Sequence, residues 1–223
     1  MHPPLTHIEV RLLGSLIEKA ATTPDTYPLT LSALVAACNQ LTNREPVMQL
    51  DEEQLTEAIV TLRRRSLLRA IQPAGSRVTK YQHLLHEALD LDARELALMA
   101  VLMLRGPQTV GELHTRTARL AHFENSEALE LVLDRLVARD SGSLVVRLPK
   151  RPGQKEVRYA QLLAGEITDA SPEPTAAVPS RTSIGGDLSR PTANELDARI
   201  RQLEEELAAL RAEFAELKAQ LGA

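Results

Sequence analysis

Few side chains in this 223-residue chain have the type and spacing that chemistry needs. Cys38 is the single thiol, and it falls in step with Leu34, Val35 and Leu41 on an apolar stripe, so it reads as a small core residue rather than a nucleophile. His83 and His86 stand three apart and could share a metal only on a helix, and no neighbouring Cys or His completes a ligand set. His114 and His122 lie eight apart without a carboxylate pattern that would make a metal site or a proton relay. Neither a glycine-rich phosphate loop nor a GxSxG elbow occurs. The expectation is a protein without catalytic residues, cofactor or metal.

Cations are a different matter, because they gather around two short segments. Arg63, Arg64, Arg65 and Arg69 lead into the first, and Arg77 and Lys80 flank its tip. Arg147, Lys150, Arg151, Lys155 and Arg158 make the second the most basic stretch of the chain. Guanidinium and ammonium groups spaced this way can grip nucleic-acid phosphates or enter a minor groove. They can equally keep the edge of a solvated hairpin from aggregating.

The elements that position these cations follow from local signals. Thr6 and Glu9 form a capping-box pair ahead of Ile8, Leu12, Leu13, Leu16 and Ile17, which share one helical face. After the loop TTPDTYPLT (22–30), Thr30 can cap a second helix carrying Leu31, Leu34, Val35, Cys38 and Leu41. Asp51 and Gln54 open a third, with Leu55, Ile59, Leu62 and Ser66 along one side. LLRAIQ (67–72) and VTKYQHLL (78–85), separated by PAGSR, read as a β-hairpin.

The same order then repeats. Asp92 with Glu95, Thr109 with Glu112, and Asn125 or Ser126 start three helices, and LVVRL (144–148) with EVRYAQLL (156–163) makes a second hairpin. Lys80, Tyr81, Leu84 and Leu85 correspond to Arg158, Tyr159, Leu162 and Leu163 at an offset of 78, which marks an internal duplication. Three helices followed by a hairpin describe a winged helix. The expected fold class is mainly α with small β-hairpins (α+β): a first winged-helix domain over 1–86 and a second over 87–163. The segments TTPDTYPLT, ACNQ (37–40), NREPVMQ (43–49) and TKYQH resemble the YceH family of uncharacterised bacterial proteins. The resemblance spans the folded part of the chain. It implies a tandem winged-helix fold and carries no activity, cofactor or active-site residue with it.

A winged helix that reads DNA in the usual way lays its third helix in the major groove, with an exposed face of Arg, Lys, Asn or Gln. Here the face opposite Leu55, Ile59 and Leu62 carries Glu53, Glu57, Val60 and Arg64, and that opposite Leu129, Leu133 and Leu136 carries Glu127, Leu131, Asp134 and Ala138. Carboxylates at a helix start complement the helix dipole, yet each repels a duplex. Two readings therefore stand. One is a DNA-binding regulator or architectural factor that holds phosphates through its basic wings. The other is an adaptor that docks another protein through the acidic third helices and the polar loops at 22–30 and 43–49.

Those loops are unusually rich in polar groups, with Asp25, Tyr27, Asn39, Gln40, Asn43, Arg44 and Glu45 beside prolines 24, 28 and 46. They either cap their neighbours through hydrogen bonds or form a docking surface, and the residues alone leave both open.

The last quarter or so of the chain differs in kind. Residues 164–194, rich in Pro, Ser, Thr, Gly and Ala, read as a flexible linker. Over 195–223, Leu196, Ile200, Leu203, Leu207, Leu210, Phe214, Leu217 and Leu221 recur at alternating steps of four and three, the heptad pattern of a coiled-coil helix. In a parallel homodimer Arg199 faces Glu204, Glu206 faces Arg211, and Glu213 faces Lys218, all of opposite sign. Packing on the folded core or on a different protein is the competing reading, and Phe214 at a core position leaves a trimer open.

Composition sets the outer bounds. With two Phe, three Tyr and no Trp, the core must be aliphatic and the composition argues against a base-stacking platform. Residues 1–163 hold 20 Lys and Arg against 19 Asp and Glu, and residues 164–223 hold 6 against 11, so the net charge of -4 belongs to the tail. No apolar run is long enough to span a bilayer and no signal-peptide pattern opens the chain, which leads to the expectation of a cytoplasmic protein without a membrane partner.

Overall fold

Helix starts in this chain are written into four-residue segments, and six of the seven α-helices among the described residues begin with a side chain that accepts a hydrogen bond from its own first turn. The computed structural model describes residues 3–72, 75, 77–150, 154 and 156–165. Helix α1 (His7–Thr22) opens on a capping box in which Glu9 N donates to Thr6 Oγ1 at 3.2 Å and Thr6 N donates to the Glu9 carboxylate at 2.7 Å. The same reciprocal pair starts α3 (Glu52–Arg64) at Asp51 and Gln54, α5 (Ala93–Arg105) at Asp92 and Glu95, and α6 (Val110–Thr117) at Thr109 and Glu112. Thr30 caps α2 (Leu31–Cys38), and Asn125 caps α7 (Ser126–Val137).

Each repeat ends in a three-stranded antiparallel sheet, one strand more than the expected hairpin. In the first, β2 (Leu68–Ile71) and β3 (Lys80–His83) form the hairpin with Leu68 opposite His83. On the far edge of β3 lies β1 (Leu29–Thr30), with Leu29 opposite Tyr81. This strand comes from TTPDTYPLT, read above as loop; two residues carry no period of their own, and only the partner strand defines them. The second sheet repeats the arrangement: β4 (Gln108–Thr109) pairs with β6 (Arg158–Gln161), which also pairs with β5 (Val145–Leu148). The fold is thus α plus small antiparallel sheets.

Three boundaries differ from expectation. Helix α2 stops at Cys38, leaving Leu41 off the apolar stripe and 81% exposed. Helix α3 stops at Arg64, and Ser66 turns out at φ 57 instead of continuing the buried side. The segment after β3 becomes a short helix α4 (Leu85–Leu89), with Leu85 fully buried.

The hydrophobic core is continuous through both repeats, from Leu5 to Tyr159. Its centre is the contact between α1 and α5, the first helix of each repeat. Both are buried nearly all round, Glu9–Glu18 in α1 and Ala97–Leu104 in α5, because each packs on its own repeat on one side and on the other repeat on the opposite side. Gly14 permits the approach: a Cβ there would lie 3.0 Å from Leu104 Cγ and 3.2 Å from Met103 Cβ. Helix α5 then closes at Gly106, whose φ of 72 suits glycine and turns the chain toward β4.

Candidate nucleic-acid interface

Burial of Leu55, Ile59 and Leu62 fixes the outward face of α3, and Glu53, Glu57, Val60 and Arg64 are exposed there as expected. Helix α7 buries Leu129, Leu133 and Leu136 and exposes Glu127, Leu131, Asp134 and Ala138. Within these acidic faces Leu131 is 68% and Val60 41% exposed.

The basic residues divide by location. Arg63 and Arg64 are exposed in the last turn of α3, where cations also complement the helix dipole. Arg65 is set apart from them: it is half-buried, and its guanidinium donates to the carbonyl of Pro3 at 2.7 Å. Arg69 is exposed on β2, 3.9 Å from the Glu87 carboxylate. Lys80 and Arg158 occupy equivalent places on the middle strands, opposite Thr30 and Thr109; both are half-buried, and Arg158 is already engaged by a neighbour. Arg77 before β3, Arg147 on β5 and Lys150 just beyond it are exposed. Neither Arg147 nor Lys150 forms an ion pair among the described residues. Arg151 and Lys155 lie outside the described residues.

Some polar side chains of the two loops turn inward, while Asp25 and Glu45 stay exposed. Arg44 of NREPVMQ is buried: it pairs with Glu18 of α1 at 2.5 Å and donates to the carbonyls of Ala37 and Asn43 and to Gln40 Oε1. Asn39 closes a two-point bond with Leu50, its amide donating to the carbonyl at 2.7 Å and its oxygen accepting from Leu50 N at 2.8 Å. Arg11 of α1 donates to the carbonyls of Cys38 and Pro46. Tyr27 Oη accepts from His83 N at 2.9 Å across the first sheet. The loop also reaches the second repeat, since Glu45 N donates to Leu104 O at 2.8 Å and Arg105 donates to Asn43 Oδ1. The buried Arg44–Glu18 pair was not foreseen from sequence. Its partners are 26 positions apart, and no local pattern joins them.

Cys38 is fully buried, and burial pushes its thiol up to about 11, against weaker opposing effects of the nearby Ser15 hydroxyl and of Arg11 and Arg44. His83 ends β3 and His86 lies in α4, with ring centroids 5.4 Å apart. Burial, with the charge of His86 second, lowers His83 to about 4. No group of three potential metal ligands occurs among the described residues.

A cleft of about 340 Å³ lies where the repeats meet. Val101 and Leu104 of α5 and Leu120 form apolar wall, while Arg105, Arg116 and Arg119 place three guanidinium groups around it. No sequence pattern drew attention to these arginines, which come from α5, α6 and the turn after α6.

The linker expected over 164–194, apart from its first two residues, and the heptad residues Leu196, Ile200, Leu203, Leu207, Leu210, Phe214, Leu217 and Leu221 lie outside the described residues. Among the described residues no helix is long and apolar enough to cross a membrane.

Comparison with known proteins agrees on one family. A UPF0502 protein of Geotalea daltonii is 52% identical over 176 residues, covering 78% of this chain and 80% of its own length. UPF0502 proteins of Vibrio atlanticus and Vibrio vulnificus are 43% and 45% identical, each over 98% of this chain and 97% of the relative. The model of a family described as "Protein of unknown function, DUF480" matches residues 5–154, which takes in the helices of both repeats and the first strand of the second hairpin. The chain belongs to that uncharacterised family, as the resemblance read from its motifs implied.

Proposed function

We propose that each repeat is a winged helix, and that the chain is a non-enzymatic, dimeric DNA-binding protein, a regulator or architectural factor that grips phosphates through its wings. The carrying observation is a separation of charge. The outer faces of α3 and α7 present Glu53, Glu57, Glu127 and Asp134, whereas Arg147 and Lys150 stand exposed on the second hairpin without ion pairs among the described residues. A duplex is repelled by the first surface and attracted by the second. Docking through the hairpins is therefore favoured over a third helix in the major groove. Pairing through the heptad residues of 195–223 would join two such grips, and tethered weak sites gain affinity through effective concentration.

The experiment is retention of sheared genomic DNA by the full-length protein at near-physiological salt, with the retained DNA sequenced. Discrete sites identify a sequence reader, and uniform retention identifies an architectural binder. No retention, or retention unchanged by replacing Lys150, Arg151, Lys155 and Arg158 with Ala, removes the proposal.

A second reading is favoured by Leu131 and Val60, apolar side chains exposed in the middle of acidic helix faces. That combination suits a protein partner with an apolar contact and a basic rim. Neutralising Glu53, Glu57, Glu127 and Asp134 would then release a specific partner in a pull-down, and an unchanged partner set sinks this alternative.

A further inference from the structure

We infer that the cleft between the repeats is a binding site for a small phosphate-bearing molecule, held by Arg105, Arg116 and Arg119. The inference goes beyond wing-mediated DNA binding and does not rest on it.

Charge in the cleft is out of balance. Arg116 has a partial partner in Glu112 at 3.3 Å, one turn away on the same helix. Arg105 donates to Asn43 Oδ1, a neutral acceptor. Arg119 is exposed and has no hydrogen bond or ion pair among the described residues. Glu18 also lines the cleft and its charge acts on Arg105, but its carboxylate is shared with the buried Arg44 at 2.5 Å. Glu45, whose field reaches Arg105, is exposed and does not line the cleft. The Arg105 guanidinium lies below its ordinary pKa, first from burial and then from the charge of Arg116, with Arg119 adding to it. Three cations are thus held together with fewer counter-charges than they need.

The shape says what would supply the missing charge. Guanidinium groups present planar forks that match phosphate oxygens two at a time. The volume of about 340 Å³ is at the lower end of small-molecule sites. Val101, Leu104 and Leu120 offer an apolar wall for the rest of the molecule, whereas a duplex backbone has only sugar to place there. Because Glu18 and Asn43 come from the first repeat and the arginines from the second, an occupant would touch both. The ligand class is a phosphate or diphosphate attached to a compact organic group.

The test is isothermal titration of the full-length protein at low salt with inorganic phosphate, pyrophosphate and adenosine monophosphate, on wild type, R119A, R116A and K150A. The expected result is saturable one-to-one binding of at least one probe, weakened at least tenfold in R119A and in R116A and unchanged in K150A. R119K should bind more weakly than wild type, because it keeps the charge and loses the fork. Arg119 is exposed, so R119A should melt within a few degrees of wild type in the absence of ligand. The inference is overturned if wild type binds none of the probes, if R119A binds as wild type does, or if K150A loses binding equally. A short DNA duplex is titrated in parallel; if R119A weakens the duplex and no small probe, the cleft holds a backbone phosphate and the small-molecule assignment falls.

Discussion

Arg44 lies 2.5 Å from Glu18, a buried ion pair that ties the loop at 43–49 to the middle of α1. Around it the Arg44 guanidinium is further held by the carbonyls of Ala37 and Asn43 and by Gln40, so few of its donors are left bare. Removing either partner strands the other charge away from water. R44M and E18L should each cost about 3 kcal/mol of stability, and the R44M/E18L double mutant clearly less than the sum of the two, measured by urea unfolding as a double-mutant cycle. Additive losses would mean that the two groups act independently.

His83 makes stability depend on pH. Its folded pKa of about 4 lies below the unfolded value of about 6.5, so the unfolded chain takes up a proton that the folded chain refuses between those limits. Its contribution is intact above the unfolded value and is lost progressively as pH falls through that window, by an amount of order 3 kcal/mol. In H83Q the urea midpoint should fall less between pH 7 and pH 4 than in wild type. Parallel curves would show that His83 is not the responsible group.

Cys38 should be chemically silent in the folded protein. Full burial with the thiol raised to about 11 leaves almost no accessible thiolate at neutral pH. Labelling by a disulfide reagent should proceed only at the rate of unfolding and become complete in denaturant. Fast labelling under native conditions would contradict the core assignment.

Gly14 sets the distance between α1 and α5. In Gly14→Val the added methyls meet Leu104 and Met103, and the helices must separate, at a cost of about 2 kcal/mol. The lowered urea midpoint should come with a single cooperative transition, since the core is continuous through both repeats. A midpoint equal to wild type would show that the contact yields freely.

On the proposed function, the second hairpin should carry the salt dependence of DNA binding. Each phosphate contact contributes a slope of about -0.9 in log K against log salt, so losing Arg147 and Lys150 should flatten the slope by roughly two. Binding by R147A/K150A would then fall at low salt far more than at high salt, as measured by fluorescence anisotropy with a labelled duplex. An unchanged slope would place the phosphate contacts elsewhere.

Much of this architecture could be read from the chain because its signals are short-range. The pairs Thr6 and Glu9, Asp51 and Gln54, Asp92 and Glu95, and Thr109 and Glu112 act within one helical turn, and all four cap helices in the structure. The outward placement of Glu53, Glu57, Glu127 and Asp134 followed equally from the 3.6-residue period. The cations of the second hairpin were legible from residue type alone, since alternation would put Arg147 on the strand face of Val145, which is fully buried.

The sequence by itself therefore determined where helices start, which faces turn inward and that the plan occurs twice. Tertiary structure alone decided the rest. Strand β1 exists only because β3 pairs with it; Arg44 is a core residue only because Glu18 waits across the fold; and Arg105, Arg116 and Arg119 line one cleft only because α6 packs on α5. Caps and periods are set by neighbours within one turn, whereas these contacts depend on chain separations whose pairing no local spacing records.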